Sequence, residues 1–499
     1  MERQALYVKK IVIIGGGLGG LSCAIRLAAH GCKVRLLEKE PELGGKLKKV
    51  VGGKYSFDMG PSTITMVDAF KEVFTAVGRR MEDYLQFYPV HPMTKNFFPD
   101  GSVVNLSQSI EEMEEQISQY SKEDASRYRD FLKESEKLYT ISQQQFLNRL
   151  LPTNRDLFDF QLLKSFASIK PFTTLHQMLR NYFKHPNTLA MFGRYATYVG
   201  SSPYRAPAIF SMMASLEGQG GIYGVKGGTY SIVEAFEKLA GELGVDIKKN
   251  INVARIKVVN KRVVGVETTD GFFEADQVIA NGDALAIYKN LIDEADRPSI
   301  TNRRIDGMEP SLSGFVMLLG MNKRIPILTH HNVFFSKNYK QEFTDIFEKK
   351  MIVEDPTIYI CYSGYSQPEL VGENNSNLFV LVNAPYTSSR VNWDDRKESY
   401  FLKIITKLES RGLKDLIGSS IDFYQIMTPA DLQERTGAHR GAMYGTSSNS
   451  FQQAFFKLGN KSKDIEGLWF VGGSAHPGGG TPIVTKSGQL VAKAIIESI

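Results

Sequence analysis

Residues 11–46, IVIIGGGLGGLSCAIRLAAHGCKVRLLEKEPELGGK, constrain the fold more than any other stretch. Ile11 to Ile14 is an unbroken apolar run, the pattern of a parallel strand buried on both faces. Gly15, Gly17 and Gly20 follow in G-x-G-x-x-G spacing, with Gly16, Leu18 and Gly19 between them. Leu21, Ile25 and Ala28 recur at helical intervals, and Gly31 sits where that helix would end. Lys33 to Leu37 reads as a second strand, closed by Glu38. In such a unit the first glycine permits a tight turn, the second lets backbone approach a pyrophosphate, and the third lets helix pack on strand. The helix N-terminus turns N–H groups and a positive dipole end toward phosphate oxygens. Glu38, about twenty residues on, can accept hydrogen bonds from a ribose, with Lys39 beside it. An acid there disfavours a phosphorylated ribose.

A second glycine-rich segment, 44–62, carries Gly44, Gly45 and Lys46 and then Phe57-Asp58-Met59-Gly60-Pro61-Ser62. Taken alone it reads as two loops; beside the first motif, its backbone N–H groups and its lysine are placed to meet a pyrophosphate. The C-terminus repeats the opening pattern. Leu468 to Val471 reads as a buried strand, Gly472 and Gly473 end it, a loop with Gly478, Gly479 and Gly480 follows, and a helix resumes near Thr485. The simplest arrangement brings both loops around one flavin.

Between these ends the chain changes character. Residues 63–145 read as mainly helical and charged, with a solvated acid–base face. Residues 141–205 hold eight basic residues against two acids and eleven aromatics, among them Phe158, Phe160, Phe166, Phe172, Phe183 and Phe192. That mixture suits either the interface of an anionic bilayer or a helical cap over an apolar pocket; no nucleic-acid module is visible. Residues 226–283 return to α/β character, with turns at Asn260-Lys261 and Asp270-Gly271. Runs at 311–320, 358–364 and 376–383 imply a mixed sheet. The adjacent His330 and His331 point to opposite faces of a strand and are poor joint metal ligands, so no metal site is expected.

At 499 residues the chain is too long for one simple core. Cys23, Cys32 and Cys361 lack metal or redox spacing and suit a reduced, cytoplasmic setting. Lys9-Lys10 before an apolar run could mimic a signal peptide, but the clustered glycines and charged continuation argue otherwise. No stretch of eighteen apolar residues occurs, so no spanning helix is expected.

The stretches quoted above, with FDMGPS, SSPYRAP, YGVKGGTYSIVEA, VIANGDA and FVGGSAHPGGGTPIV, together resemble the bacterial phytoene-desaturase type of carotenoid desaturases and oxidases, over nearly the whole chain. The closing loop, His476-Pro477-Gly478-Gly479-Gly480-Thr481-Pro482-Ile483-Val484, is most similar to the branch acting on thirty-carbon (diapo) carotenoids, whose oxidases convert a terminal methyl group towards aldehyde or acid. An Arg-Pro pair common before the last strand in the family is missing; this chain reads FFKLGN at 455–460.

The resemblance implies an α/β fold: a Rossmann-like FAD-binding domain assembled from segments 1–85, 221–290 and 461–499. A helical, membrane-facing region over 86–220 and an α+β substrate domain with a mixed sheet over 291–460 would complete it. It implies FAD as cofactor, a hydrophobic carotenoid as substrate, and peripheral attachment to the inner face of the cell membrane. Gly15, Gly17 and Gly20 would hold the pyrophosphate, Glu38 the adenosine ribose, and Gly45 and Lys46 would lie near the phosphates, with Gly60, Pro61 and Ser62 in the same site. Val253 would meet the adenine end through its backbone, and Gly472, Gly473, Pro482, Ile483 and Val484 would border the isoalloxazine. His476 is the candidate catalytic group, or else fixes the loop by hydrogen bonding. Competing readings are a phytoene or dehydrosqualene desaturase, a flavin amine or protoporphyrinogen oxidase, and a non-redox prenyl or lipid carrier.

Overall fold

A computed structural model of the chain describes residues 8–151, 168–372, 374–414, 416, 418–455 and 457–498. Five strands form an all-parallel sheet in the order Leu468–Phe470, Gln277–Ala280, Lys10–Ile14, Lys33–Leu37 and Asp246–Lys248. The opening apolar run is therefore the central strand. Its side chains alternate between two cores. Ile11 and Ile13 pack with Leu21, Ile25, Phe236 and Val491 from helices Leu18–Ala29, Ser231–Glu242 and Thr481–Ile496. Val12 and Ile14 pack with Ile256 and Val266 of a three-stranded antiparallel meander over residues 253–274. Burial on both faces is why this strand reads as continuous apolar sequence rather than as alternation.

Several elements differ from the sequence expectation. Segment 44–62 contains an antiparallel hairpin, Lys48–Gly52 with Tyr55–Met59, between its glycines. The stretch 63–145 has helices Ile110–Ser118 and Lys122–Ser142, each capped by a serine side chain, but also strands Thr94–Phe97 and Val103–Leu106. Four-residue strands are too short to impose a legible period. The run FFEADQVIA splits between the meander (Gly271–Glu274) and the parallel sheet (Gln277–Ala280). The last helix begins at Thr481 rather than near Thr485, because Pro482 at its first turn needs no N–H partner and already has a helical φ.

Strands Thr94–Phe97 and Val103–Leu106 complete a seven-stranded mixed sheet with Ile421–Met427, Ser313–Met321, Ser376–Ala384, Ile358–Cys361 and His331–Phe334. All nine residues of Ser313–Met321 are buried. Phe315, Met317 and Leu319 face helix Trp393–Ser410 in one core, while Gly314 and Val316, with Phe379 and Leu381 of the neighbouring strand, line a cavity on the other side.

Helices Leu175–Leu179 and Pro186–Gly193 and the turn Arg194–Val199 carry the basic, aromatic region. Phe183 and Phe192 are buried and pack on Phe131 at 5.0 Å each, whereas Phe172 is 83% exposed. Phe158, Phe160 and Phe166 lie outside the described residues. His330 precedes the strand that His331 begins, so the opposite-face argument does not apply to the pair. Their rings are 4.5 Å apart, and ligand atoms of His330, His331 and Cys361 lie within 4.8 Å of one another.

Candidate active site

The glycine loop turns directly off the central strand. Gly15 has φ +97°, and a Cβ there would meet the Asn281 carbonyl oxygen at 2.4 Å. Asn281 follows the adjacent strand and donates from its backbone N–H to the Ile14 carbonyl (2.8 Å) and from Nδ2 to the Gly15 carbonyl (2.9 Å). A Cβ at Gly20 would lie 2.4 Å from that Gly15 oxygen, and one at Gly19 or Gly472 would lie 2.9 Å from Asn281 Oδ1. Asn281 thus fills the space that the glycines vacate and joins the first and last loops. Gly44 donates to the Gly16 carbonyl (2.9 Å), which draws the second glycine segment alongside the first.

Glu38 is buried; its Oε2 accepts from the Gly16 N–H (2.7 Å) and its Oε1 from the Glu40 N–H (3.0 Å). Its carbonyl accepts from Ile251, which brings Val253 to the same end of the sheet. Lys39 turns away, with Nζ donating to the Glu434 carbonyl at 3.3 Å. Lys46 donates to the carbonyls of Ala442 and Met443 and borders the cavity; burial lowers its pKa, opposed by Asp283.

The first and last helices lie side by side and parallel. Ser22 Oγ donates to the Thr485 carbonyl (2.8 Å), Gln489 Nε2 donates to the Ser22 carbonyl (2.8 Å), and Arg26 reaches Gln489 Oε1 (2.9 Å). Their N-termini consequently open at one end of the sheet. Neither has a side-chain cap or an acid in its first turn. Two positive dipole ends facing one region suit a diphosphate and an electron-rich ring. The buried Thr481 Oγ1 and Asp283 Oδ2, beside that region, have no hydrogen-bond partner among the described residues. Uncapped helix ends, a buried carboxylate and orphaned hydroxyl and carboxylate oxygens fit a flavin dinucleotide.

The cavity opens from this region. Gly60, Pro61, Ser62 and Lys46 form one side and residues 476–483 another, so Pro482 and Ile483 line it; Val484, Gly472 and Gly473 lie just behind. His476 Nε2 donates to the carbonyls of Phe146 (2.8 Å) and Arg149 (3.0 Å), and its own carbonyl accepts from Asn460 and Ser487. Burial pushes its pKa down to about 4 against those backbone acceptors, so the ring is neutral and structural in posture. The His476→Ala variant is expected to keep its flavin and to lose about 1 kcal/mol of stability, measured by urea denaturation, because two part-buried carbonyls lose a shared donor.

Sequence reasoning passed over Asn281, Arg194 and Lys457; no spacing marks them, because each acts across the fold. Lys457 lines the cavity beside the closing glycine loop, with Nζ 3.3 Å from where a Gly478 Cβ would stand. Burial pushes its pKa from 10.5 down to about 8. The folded protein then binds fewer protons than the unfolded chain between those values, so stability rises with pH across that window. Lys457→Met should be more stable than the parent at pH 7 by about 1–3 kcal/mol. Denaturation series at several pH values should show the advantage shrinking as pH rises from 8 and vanishing above the ordinary lysine value.

A family model described as flavin containing amine oxidoreductase matches residues 18–496. Among curated proteins, the 4,4'-diaponeurosporene oxygenase of Staphylococcus haemolyticus is 33% identical over 489 residues, 98% of this chain and 97% of that one. The 4,4'-diapolycopene oxygenase of a Methylomonas species is 33% identical over 494 residues, 98% of this chain and 99% of that one. Among solved structures, an oxidoreductase from Methanosarcina mazei superposes with a TM-score of 0.64 at 16% identity, covering 97% of this chain and 100% of its own, a likeness of fold.

Proposed function

This chain belongs to the flavin-containing amine oxidoreductase family, and on that premise we propose that it oxidises the terminal methyl group of a long linear thirty-carbon carotenoid. It is an FAD-dependent oxidoreductase. When bound, FAD would supply a two-electron acceptor for C–H oxidation; methyl to aldehyde loses four electrons, so two such oxidations are needed, with the added oxygen atom drawn from water or dioxygen and the reduced flavin reoxidised by dioxygen or another acceptor. In this reading the Gly15–Gly20 loop and the two helix N-termini hold the diphosphate, Glu38 the adenosine ribose, and Val253 the adenine end. Lys46, Gly45 and the Gly60–Pro61–Ser62 turn lie along the phosphates and ribityl chain. Gly472, Gly473 and Pro482 to Val484 border the ring system. Segments 1–85, 221–290 and 461–499 form the cofactor-holding part around a chain-holding middle.

The observation that carries the proposal is the cavity itself. It is walled by apolar side chains such as Phe146, Phe210, Met213, Leu216, Val316 and Leu381, and one side of it is the His476–Ile483 loop. An oily chain offers no charge to anchor, so shape and exclusion of water must hold its end against the ring. The names of the two relatives point to the same substrate class and to oxygenation rather than plain desaturation. Expression in a host that accumulates 4,4'-diaponeurosporene should convert that pigment to a more polar aldehyde or acid. A redder hydrocarbon with no added oxygen would assign desaturation instead.

Among the described residues no helix is long and apolar enough to cross a membrane. A membrane-surface docking is proposed from an aromatic file: exposed Phe172 stacks on Phe451 (5.0 Å), which meets Phe455 (5.3 Å), a cavity-lining residue. Phe172→Glu should lower flotation with anionic liposomes several-fold, since a charge would replace an aromatic seated in the interface; unchanged flotation would remove Phe172 from the docking face.

A further inference from the structure

One wall of the cavity is polar, and nothing in hydrocarbon oxidation requires it to be. Arg194, only 7% exposed, lines the cavity, and its Nε has no hydrogen-bond partner among the described residues. Its guanidinium carbon lies 5.1 Å from the Tyr198 ring centroid. The Tyr198 and Tyr195 hydroxyls donate to Glu217, at 2.7 and 3.0 Å. Tyr339 is 8% exposed, lines the same cavity, and its hydroxyl also lacks a partner among the described residues. It stands beside Arg194 in the fold: a Cβ on the preceding residue, Gly193, would touch the Tyr339 ring at 3.6 Å.

The charges of this wall are settled internally. Burial pulls Arg194 down, but Tyr198 and Glu217 hold it above its ordinary value, so it stays a cation; burial raises Glu217, against Arg194 and the two hydroxyls. The wall therefore holds two buried donors without partners among the described residues, Arg194 Nε and Tyr339 OH, with the Glu217 carboxyl already nearby. Such a surface suits a neutral oxygen acceptor, whereas a carboxylate would add an unbalanced buried charge. A pure hydrocarbon would leave both donors orphaned. The wall is also tied to the cofactor side: Tyr359 OH lies 2.7 Å from Ser62 Oγ and 2.8 Å from His331 Nδ1, and Arg194, after burial and His330, helps to keep His331 neutral.

We propose that Arg194 and Tyr339, with Tyr198 orienting the guanidinium, form a subsite that binds the carbonyl oxygen of an aldehyde-ended polyene. The proposal rests on the carotenoid reading above and narrows it: the chain recognises an end group already oxidised to the aldehyde level. The reaction class that supplies this ligand is methyl oxidation to aldehyde, by this chain or by another.

The test uses FAD-loaded protein in liposomes with two probes of equal length, an aldehyde-ended thirty-carbon polyene and the corresponding hydrocarbon. A hydrogen bond to the carbonyl withdraws electron density from the polyene and shifts its absorbance to the red. The parent protein should bind the aldehyde about tenfold more tightly than the hydrocarbon or better, with that red shift. In Arg194→Met/Glu217→Gln, which removes both members of the buried charge pair and so avoids an unpaired charge, the preference and the shift should vanish at equal flavin content. Tyr339→Phe should lose part of each, and Arg194→Lys should retain most of the shift. A parent protein that binds both probes equally and leaves the aldehyde spectrum unshifted would overturn the subsite while leaving carotenoid oxidation standing. A double variant that keeps the shift would overturn it too. A protein that binds neither probe would overturn the carotenoid reading itself.

Discussion

Gly488→Val is expected to yield a protein that purifies without its yellow colour. A Cβ at Gly488 would sit 2.2 Å from the Gly19 carbonyl oxygen and 2.9 Å from the Cys23 nitrogen, both backbone atoms of the first helix. Neither can swing aside as a side-chain end could, so the first and last helices must part. The overpacking amounts to about 1–3 kcal/mol, before the further γ-methyls of valine are added. Because the two helix N-termini converge on the proposed cofactor site, that strain should fall on flavin retention, roughly 5- to 150-fold in affinity. Gly241→Ala is the comparison. Gly241 is also helical, has nothing within 4 Å of its added methyl group, and should keep its flavin and gain a few tenths of a kcal/mol. FAD content per chain, read from absorbance after release, distinguishes the two. Equal content would mean that the last helix takes no part in the grip.

Asn281→Leu should have a comparable effect by another route. The amide holds the Gly15 carbonyl at 2.9 Å, and its atoms fill the space beside Gly17, Gly19, Gly20 and Gly472. Leucine is close in size but offers no donor, so the turn that aims the first helix loses its brace. The missing bond is worth about 1–3 kcal/mol when a buried acceptor is left unpaired, and flavin affinity should fall about tenfold or more. Asn281→Asp, which keeps the shape but replaces the donor by an acceptor, should fall as far. If the leucine variant retained flavin like the parent, steric filling rather than the hydrogen bond would be the role of Asn281.

What could be read from residues alone follows the range of the interactions. Ile11–Ile14, the three spaced glycines, Lys33–Leu37 and Glu38 act on one another within about twenty-five residues, and their order is the order of the local structure. The Asn260-Lys261 and Asp270-Gly271 turns were legible because hairpin turns demand those residue types at that spot. The strands at 94–97 and 103–106 were not: each is only four residues long, and the hairpin they form joins a sheet through the pairing of 94–97 with His331–Phe334, more than two hundred residues away. Asn281 carries no local signal because what it meets, the Ile14 and Gly15 carbonyls and the space beside Gly472, lies far off in sequence. Arg194 looked like one more cation in a basic, aromatic stretch; only the fold turns it inward, onto Tyr198 and toward the cavity. His476 stood out as a lone histidine in a glycine loop, yet its ring is spent on the carbonyls of residues 146 and 149.

The most direct measurement is a single conversion with defined parts. Purified FAD-loaded protein is given 4,4'-diaponeurosporene in liposomes, and the extracted products are read by mass spectrometry, with amine-dependent peroxide formation followed in parallel. The account predicts an aldehyde or acid at the chain end, formed only when FAD is bound, and no peroxide from amines. A carotenoid recovered without added oxygen, alongside peroxide released from an amine, would contradict it.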